Sequence, residues 1–162
     1  MQIKVVFFYF IKDNFFDVID DKELMQNKEN GTKSPCYFCF KSKENDKIIW
    51  FIPISTKIEK YKKIYEKKIE TQKKLGKKPA VDTIVFGYVS NTYSTFLIQN
   101  MFPVTEEYIE SQYVRNNIAI TLSNKLQQEI IDKANKVLGL YKHGMKNIIF
   151  PDIEKILNQL LK

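Results

Sequence analysis

Histidine is almost missing from this chain. His143 stands alone, so an acid–base pair of two imidazoles is excluded, and a lone His at a helix end reads as a surface residue suited to the dipole there. Cysteine is nearly as scarce: Cys36 and Cys39, in "CYFC", are the whole supply. On a strand, residues three apart point to opposite faces, so these thiols neither bond each other nor share a metal, and a zinc site wants four ligands. They read as two buried thiols of a reduced, cytoplasmic protein. With 5 Gly and 5 Pro against 44% hydrophobic residues, disorder is confined to loop tips. No glycine-rich phosphate loop and no G-x-S-x-G elbow is present, so hydride transfer and ordinary ATP chemistry have no support. No His/Cys/Asp/Glu cluster has metal-ligand spacing. The acids sit in loops and at helix starts; Asp82, beside an apolar strand, reads as a turn residue, so the converging carboxylates of a two-metal nuclease are not in view. No apolar run approaches the ~18 residues of a membrane span. "VVFFYFI" is short, is followed by Lys12 and Asp13, and reads as a first strand rather than a secretory signal.

What is present is charge, in one place. Residues 57–78 hold 10 Lys and 3 Glu, a net of +7; taking these from the chain's 26 basic and 19 acidic residues leaves 16 of each, a net of 0. A cationic surface so concentrated fits a polyanion. Most charged helix faces are simply solvated, but this count is too lopsided for balanced Glu–Lys support pairs. A basic membrane-surface helix would carry exposed large apolar residues beside its lysines; here the apolar stripe reads as core, so nucleic acid is the better fit and a membrane surface the poorer one.

The length of 162 residues sets one domain, 1–162, with a real core. "KVVFFYFI" reads as strand one. A short helix follows over "DNFFDVID" with Asp13 as its N-cap, then a polar, mobile loop, "DKELMQNKENGTKSP". "PCYFCFKSKENDKIIWFIPI" reads as a hairpin whose second arm is apolar enough to be covered on both faces. Residues 57–74 give the clearest helix, with Ile58, Tyr61, Tyr65, Ile69 and Gln72 on one side and Lys60, Lys63, Lys67 and Lys74 on the other. "TIVFGYVSNTYSTFLIQ" is a second hairpin, in which Gly87 predicts a bulge or bend. "PVTEEYIESQYV" predicts a short helix capped by Thr105. A longer helix starts near Thr121 or Ser123, with the stripe Leu122, Leu126, Ile130, Ala134, Val137 and Tyr141, and ends at Lys142-His143-Gly144. Pro151 is placed as the first residue of a last helix. About five strands, arranged as hairpins, and four helices predict an α+β protein: a compact twisted antiparallel sheet or small barrel decorated by helices.

Ser55 and Thr56 stand where the apolar second arm meets the lysine helix. Ser or Thr at such a place is the commonest N-cap, worth about 1 kcal/mol. Hydroxyls and ammonium groups at a helix start also suit a phosphate. The inventory of alcohols, amines and phenols fits one phosphoryl reaction well. RNA carries its own nucleophile, the 2′-OH; a protein need only orient or deprotonate it, hold the phosphate in line and stabilise the added charge. DNA lacks that hydroxyl and is inert to it. Ser55 and Thr56 then hold the scissile phosphate and Lys57 stabilises its charge, while Lys60, Lys63 and Lys67 position the backbone. The base for the 2′-OH is not identified: a tyrosine or the RNA itself can serve. The tyrosines and Trp50 read as core, and any exposed members can stack on unpaired bases. The rival is a noncatalytic RNA-binding module on the same small barrel, using the same ridge with Ser55 and Thr56 as caps only.

"LMQNKEN", "PCYFCF", "IIWFIPISTKIEKYKKIY", "FLIQNMFPVTEEYI" and "NIIFPDIEKI" together resemble the CptIN-type toxins of bacterial type III toxin–antitoxin systems, similar to the wider ToxN/AbiQ group, over nearly the whole chain. The resemblance implies an SH3-like barrel of MazF type with added helices. It implies a metal-independent endoribonuclease, with no cofactor, that leaves a 2′,3′-cyclic phosphate and a 5′-OH. It implies an RNA antitoxin, a repeated pseudoknot lying in a basic groove within a closed protein–RNA ring, and a role in growth arrest and phage defence. The family's hydroxyl pair maps onto Ser55 and Thr56, and its lysine onto Lys57 or Lys60. A basic residue before the proline of strand two corresponds to Lys33, one place earlier than in many relatives because Ser34 precedes Pro35. Tyr9, at the end of strand one, matches an active-site phenol more loosely. The expected RNA contacts are Tyr9, Lys28, Lys33, Lys60, Tyr61, Lys63, Lys67, Gln99 and Asn100.

Overall fold

The computed structural model describes residues 2–29 and 32–162. Its elements in order are β1 (Phe8–Ile11), α1 (Asp13–Val18), β2 (Lys28–Glu29), β3 (Thr32–Lys33), β4 (Tyr37–Lys41), β5 (Ile49–Ser55), α2 (Ile58–Lys74), β6 (Ile84–Val89), β7 (Thr92–Leu97), β8 (Phe102–Val104), β9 (Ile109–Gln112), β10 (Val114–Arg115), β11 (Ile118–Ala119), α3 (Asn124–Lys142) and α4 (Ile153–Leu160). The architecture is α+β, as the hairpin pattern predicts. A seven-stranded sheet runs β6-β7-β5-β4-β1-β9, with β8 also on β5, and every pairing in it is antiparallel. Two small hairpins, β2–β3 and β10–β11, stand apart from it.

Alternation along the central strands builds two cores. Phe8, Phe38, Trp50, Ile52 and Phe96 face α3 residues Ile130, Ala134 and Val137. Tyr9, Tyr37, Cys39 and Phe51 face Phe15 of α1, Phe102 and Ile156 of α4. Each fully buried Phe contributes roughly 1.5–3 kcal/mol, and edge-on ring contacts such as Phe8–Phe38 at 5.7 Å orient the packing. Cys36 joins the first core and Cys39 the second; both are free, and burial pushes both thiols up to about 12. β5 is the hinge of the sheet. It pairs β8 through Ile49–Phe51 and β7 through Ile54 and Ser55. Pro53 falls in the gap between those two partners on that side of β5, and stays in register with Tyr37 of β4 on the other.

The structure corrects several expected boundaries. Strand one begins at Phe8, because Val5 and Val6 form a turn in which Val6 has φ 62. Lys12, not Asp13, is the N-cap of α1, and no side chain caps it; the Asp13 carboxylate instead accepts from Asn27 Nδ2 at 2.7 Å. The loop before Pro35 contains the β2–β3 hairpin. Gly87 causes no bulge: β6 and β7 pair without a slip from Ile84↔Leu97 to Val89↔Thr92. Its smallness is needed because a Cβ there would sit 2.4 Å from Leu126 Cδ2. The expected helix after Thr105 is one 3-10 turn, Glu106–Tyr108; the open edge of β1 captures the next residues as β9, pairing Phe10 with Ser111. α3 starts at Ser123, whose hydroxyl accepts from Leu126 N–H, and ends before Gly144 at φ 104. Pro151 lies two residues before the first residue of α4, next to its cap Asp152.

Candidate functional site

β5 ends at Ser55 and α2 begins three residues later. Sequence reasoning lets Ser55 and Thr56 serve as caps, as phosphate ligands or as both; neither caps the helix. The N-cap is Lys57, and no side chain engages the first turn. Ser55 Oγ accepts from Lys57 N–H at 3.2 Å, and Thr56 offers its carbonyl, not its hydroxyl, to Ile58 N–H at 2.9 Å. Among the described residues the Thr56 hydroxyl makes no hydrogen bond, and the N–H groups of Glu59 and Lys60 have no backbone acceptor. Two alcohols therefore lie beside open helix donors, next to the exposed Lys57 and Lys60. Partial positive charge of the helix start adds to that of the two ammonium groups.

Two hollows meet at Ser55. One, of about 190 Å³, is lined by Ser55, Thr56, Cys36, Ser94, Tyr113 and Arg115. The other, of about 260 Å³, is lined by Ser55, Lys57, Lys60, Tyr61 and Lys28. Tyr113 and Arg115 were not picked out by sequence reasoning. Arg115 Nε donates to Tyr113 Oη at 2.9 Å, which leaves the rest of the guanidinium fork for an anion. The signal available for it was its being the chain's sole arginine. The Cys36 thiol, held protonated by burial, is no nucleophile. Burial also raises the Tyr61 phenol, and Lys60 Nζ lies 5.3 Å from its ring centre. Larger hollows, of about 630, 710 and 670 Å³, lie elsewhere, but none joins paired alcohols to a helix start.

The structure brings together Ser55, Thr56, Lys57, Lys60, Tyr61 and Lys28. Lys28 is already paired with Asp13 at 2.9 Å. Lys33 pairs with Glu110. Lys63 and Lys67 are exposed on α2, on the side expected. Lys33, Lys63 and Lys67 line neither hollow, and three further expected contacts are engaged elsewhere in the fold. Tyr9 is buried, its phenol accepting from Lys4 N–H at 2.8 Å, and burial raises its pKa. Gln99 is only 4% exposed, and its amide oxygen accepts from Lys68 Nζ at 3.2 Å. Asn100 donates to the Glu23 carbonyl. Lys68 is the lysine of α2 that leaves the ridge: it turns inward to Thr83 and Gln99, and burial lowers its pKa. Among the described residues no three His, Cys, Asp or Glu side chains gather as metal ligands, and no helix is long and apolar enough to cross a membrane.

No protein-family model and no curated protein matches the chain. Among solved structures it is similar to AbiQ, a lactococcal anti-phage endoribonuclease belonging to the type III toxin–antitoxin system, at TM-score 0.68 and 15% identity, covering 98% of this chain and 97% of that one. The chain has the AbiQ fold. The match spans both proteins almost end to end, so the sheet, the four helices and the β5–α2 junction all fall within it.

Proposed function

We propose that this protein is an endoribonuclease toxin of a type III toxin–antitoxin system, cutting RNA at the β5–α2 junction. The observation that carries the reading is the pair of alcohols, Ser55 and Thr56, left uncapped beside open helix N–H groups, Lys57 and Arg115. Thr56 and Ser55 hydrogen-bond the nonbridging oxygens of the scissile phosphate. Lys57 and the Arg115 fork stabilise the charge that grows on those oxygens as the phosphorus becomes five-coordinate. The ribose 2′-OH passes its proton to a nonbridging phosphate oxygen of the RNA itself as the 2′-oxygen forms the new P–O bond, the P–O5′ bond breaks, and the products carry a 2′,3′-cyclic phosphate and a 5′-OH. Tyr113, whose oxygen already accepts from Arg115, keeps its own O–H to return a proton to the leaving 5′-oxygen. Every group in this scheme is an alcohol, a phenol or a cation, so the reaction is proposed as metal-independent.

Lys60, Lys63 and Lys67 hold the backbone of the substrate and of an RNA antitoxin, which blocks the site by direct binding. A repeated pseudoknot closing a protein–RNA ring is the form proposed for it, on the strength of the family resemblance. The decisive experiment incubates purified protein with RNA and excess chelator and then determines the product ends. Cyclic phosphate and 5′-OH ends are expected, with Thr56→Ala and Lys57→Ala still binding RNA but cutting it about 10²-fold or more slowly. RNA left whole by the antitoxin-free wild type refutes the reading. The genomic counterpart is a tandem-repeat noncoding RNA directly upstream of this reading frame.

A further inference from the structure

The β6–β7 hairpin carries something the cleavage site does not use. One face of it packs on α3 through Val85, Gly87 and Val89. The other face carries Phe86, Tyr88 and Tyr93; α2 covers Phe86, with Tyr65 5.6 Å away, and reaches Tyr93 through Lys62. Tyr88 is 62% exposed and Tyr93 37%. The rings are contiguous: Tyr93 lies nearly parallel to Phe86, at 13° and 6.2 Å, and 5.0 Å from Tyr88. Cross-strand pairing of Tyr88 with Tyr93 accounts for their adjacency, but not for the cation beside them: Lys62 Nζ stands 6.0 Å from the Tyr93 ring centre.

Placement says what this surface meets. Ser55 pairs with Thr95, and Thr95 with Phe86, so these three share one face of the sheet. Tyr93 is the next residue of β7 on that face, two positions or about 7 Å along the strand. Val89, Thr92 and Ser94, which line the Arg115 hollow, belong to the opposite face, so the aromatic surface adjoins the phosphate site on its Ser55 side. An aromatic surface continuing from Ser55 and flanked by a lysine helix matches a nucleotide in chemistry: π-face for the base, ammonium for its phosphate.

We propose that Phe86, Tyr88 and Tyr93 form a platform on which an unpaired base flanking the bound phosphate stacks, with Lys62 on that nucleotide's backbone. The proposal rests on the RNA reading of the site and names the substrate as single-stranded there. The test uses two fluorescein-labelled 2′-O-methyl oligoribonucleotides of equal length, neither of which can be cut, one with bases and one with abasic positions. Wild-type protein should bind the base-bearing strand about tenfold or more tightly than the abasic one. Tyr88→Ala/Tyr93→Ala should abolish that preference while leaving affinity for the abasic strand unchanged, and Tyr88→Phe/Tyr93→Phe should keep it. Tyr88→Ala alone, at the more exposed ring, should reduce the preference with an unaltered melting temperature. Survival of the preference in the double Ala variant, equal loss for both strands, no binding by the wild type, or a wild-type dimer that the variant dissolves would each overturn the platform. Because no cleavage is read, a wild type that stacks RNA but never cuts it sinks the nuclease and spares the platform, whereas one that cuts without base preference does the reverse.

Discussion

Replacing Lys60, Lys63 and Lys67 together by Ala should change how RNA binding responds to salt, by an amount the structure sets. The three lie at i, i+3 and i+7, within one narrow stripe, over about 10 Å of helix. All three are exposed, and none is in an ion pair among the described residues. Each can therefore neutralise a phosphate outright. For a single strand every such contact contributes about 0.7 to the slope of log K against log salt, so three contribute about 2. Between about 50 and 200 mM salt the variant should consequently lose about 20-fold less affinity than the wild type. Lys28 and Lys33 behave differently. Asp13 and Glu110 already neutralise them, and a lysine that must leave a carboxylate for a phosphate gains little. Lys28→Ala/Lys33→Ala should alter the slope by less than about 1. Fluorescence anisotropy with an uncleavable 2′-O-methyl strand, titrated across KCl concentrations, measures both. A triple variant with the wild-type slope, or a Lys28/Lys33 variant with the larger change, refutes the assignment of the ridge.

Thr56→Ala should cost less than about 0.5 kcal/mol in urea unfolding, because its hydroxyl caps nothing, while cleavage falls by about 10²-fold or more, the scale for losing one donor to the transition state. Arg115→Lys should lower cleavage at unchanged melting temperature, since an ammonium cannot both hold Tyr113 and present a planar fork; full activity in that variant removes Arg115 from the site. Gly87→Ala should destabilise by about 1 kcal/mol through the clash with Leu126, and Leu126→Ala in the same chain should relieve it; additive losses would place the cause elsewhere. Cys36 and Cys39 favour the thiol form when folded, at about 12. Their contribution to stability is complete below the unfolded value of about 8.5 and is lost as pH rises from there towards 12. Cys36→Ala/Cys39→Ala should flatten that decline between about pH 8.5 and 10, before tyrosines titrate in the unfolded chain, in urea unfolding curves taken across the range.

Long periodic elements were legible in the sequence, and short ones were not. The β4–β5 hairpin, α2 and α3 carry their own signal, alternation in the first and 3.6-residue stripes in the others. β8, β9 and the two small hairpins are two to four residues long, too short for any period. What makes Ile109–Gln112 a strand is the unpaired edge of β1, about a hundred residues upstream. The same non-local event decided the site. Ser55, Thr56 and Lys57 are adjacent in the chain and needed no folding to be seen together. Tyr113 and Arg115 arrive only because β9 is held on β1 and delivers the next residues to the hollow. Gln99 fails for the opposite reason: a polar residue beside an apolar run looks exposed, yet it is buried as the acceptor for Lys68.

The uncapped start of α2 carries an argument of its own. The other two helices of eight residues or more are capped by side chains, α3 by Ser123 and α4 by Asp152. α2 has two hydroxyl residues directly ahead of it and uses neither on its first turn. A conventional cap there would add about 1 kcal/mol. Lysine is also an unfavourable neighbour for the positive end of a helix, and Lys57 and Lys60 both sit at it, against one favourable carboxylate, Glu59. Alcohols withheld from the helix, open N–H groups and cations at the wrong end are each mildly destabilising in the free protein. All of these costs reverse together when an anion binds, since a phosphate accepts from the hydroxyls, satisfies the N–H groups and neutralises the lysines. Local rules broken in one place, with one ligand that would repair all of them, are the physical argument for the proposed phosphate site.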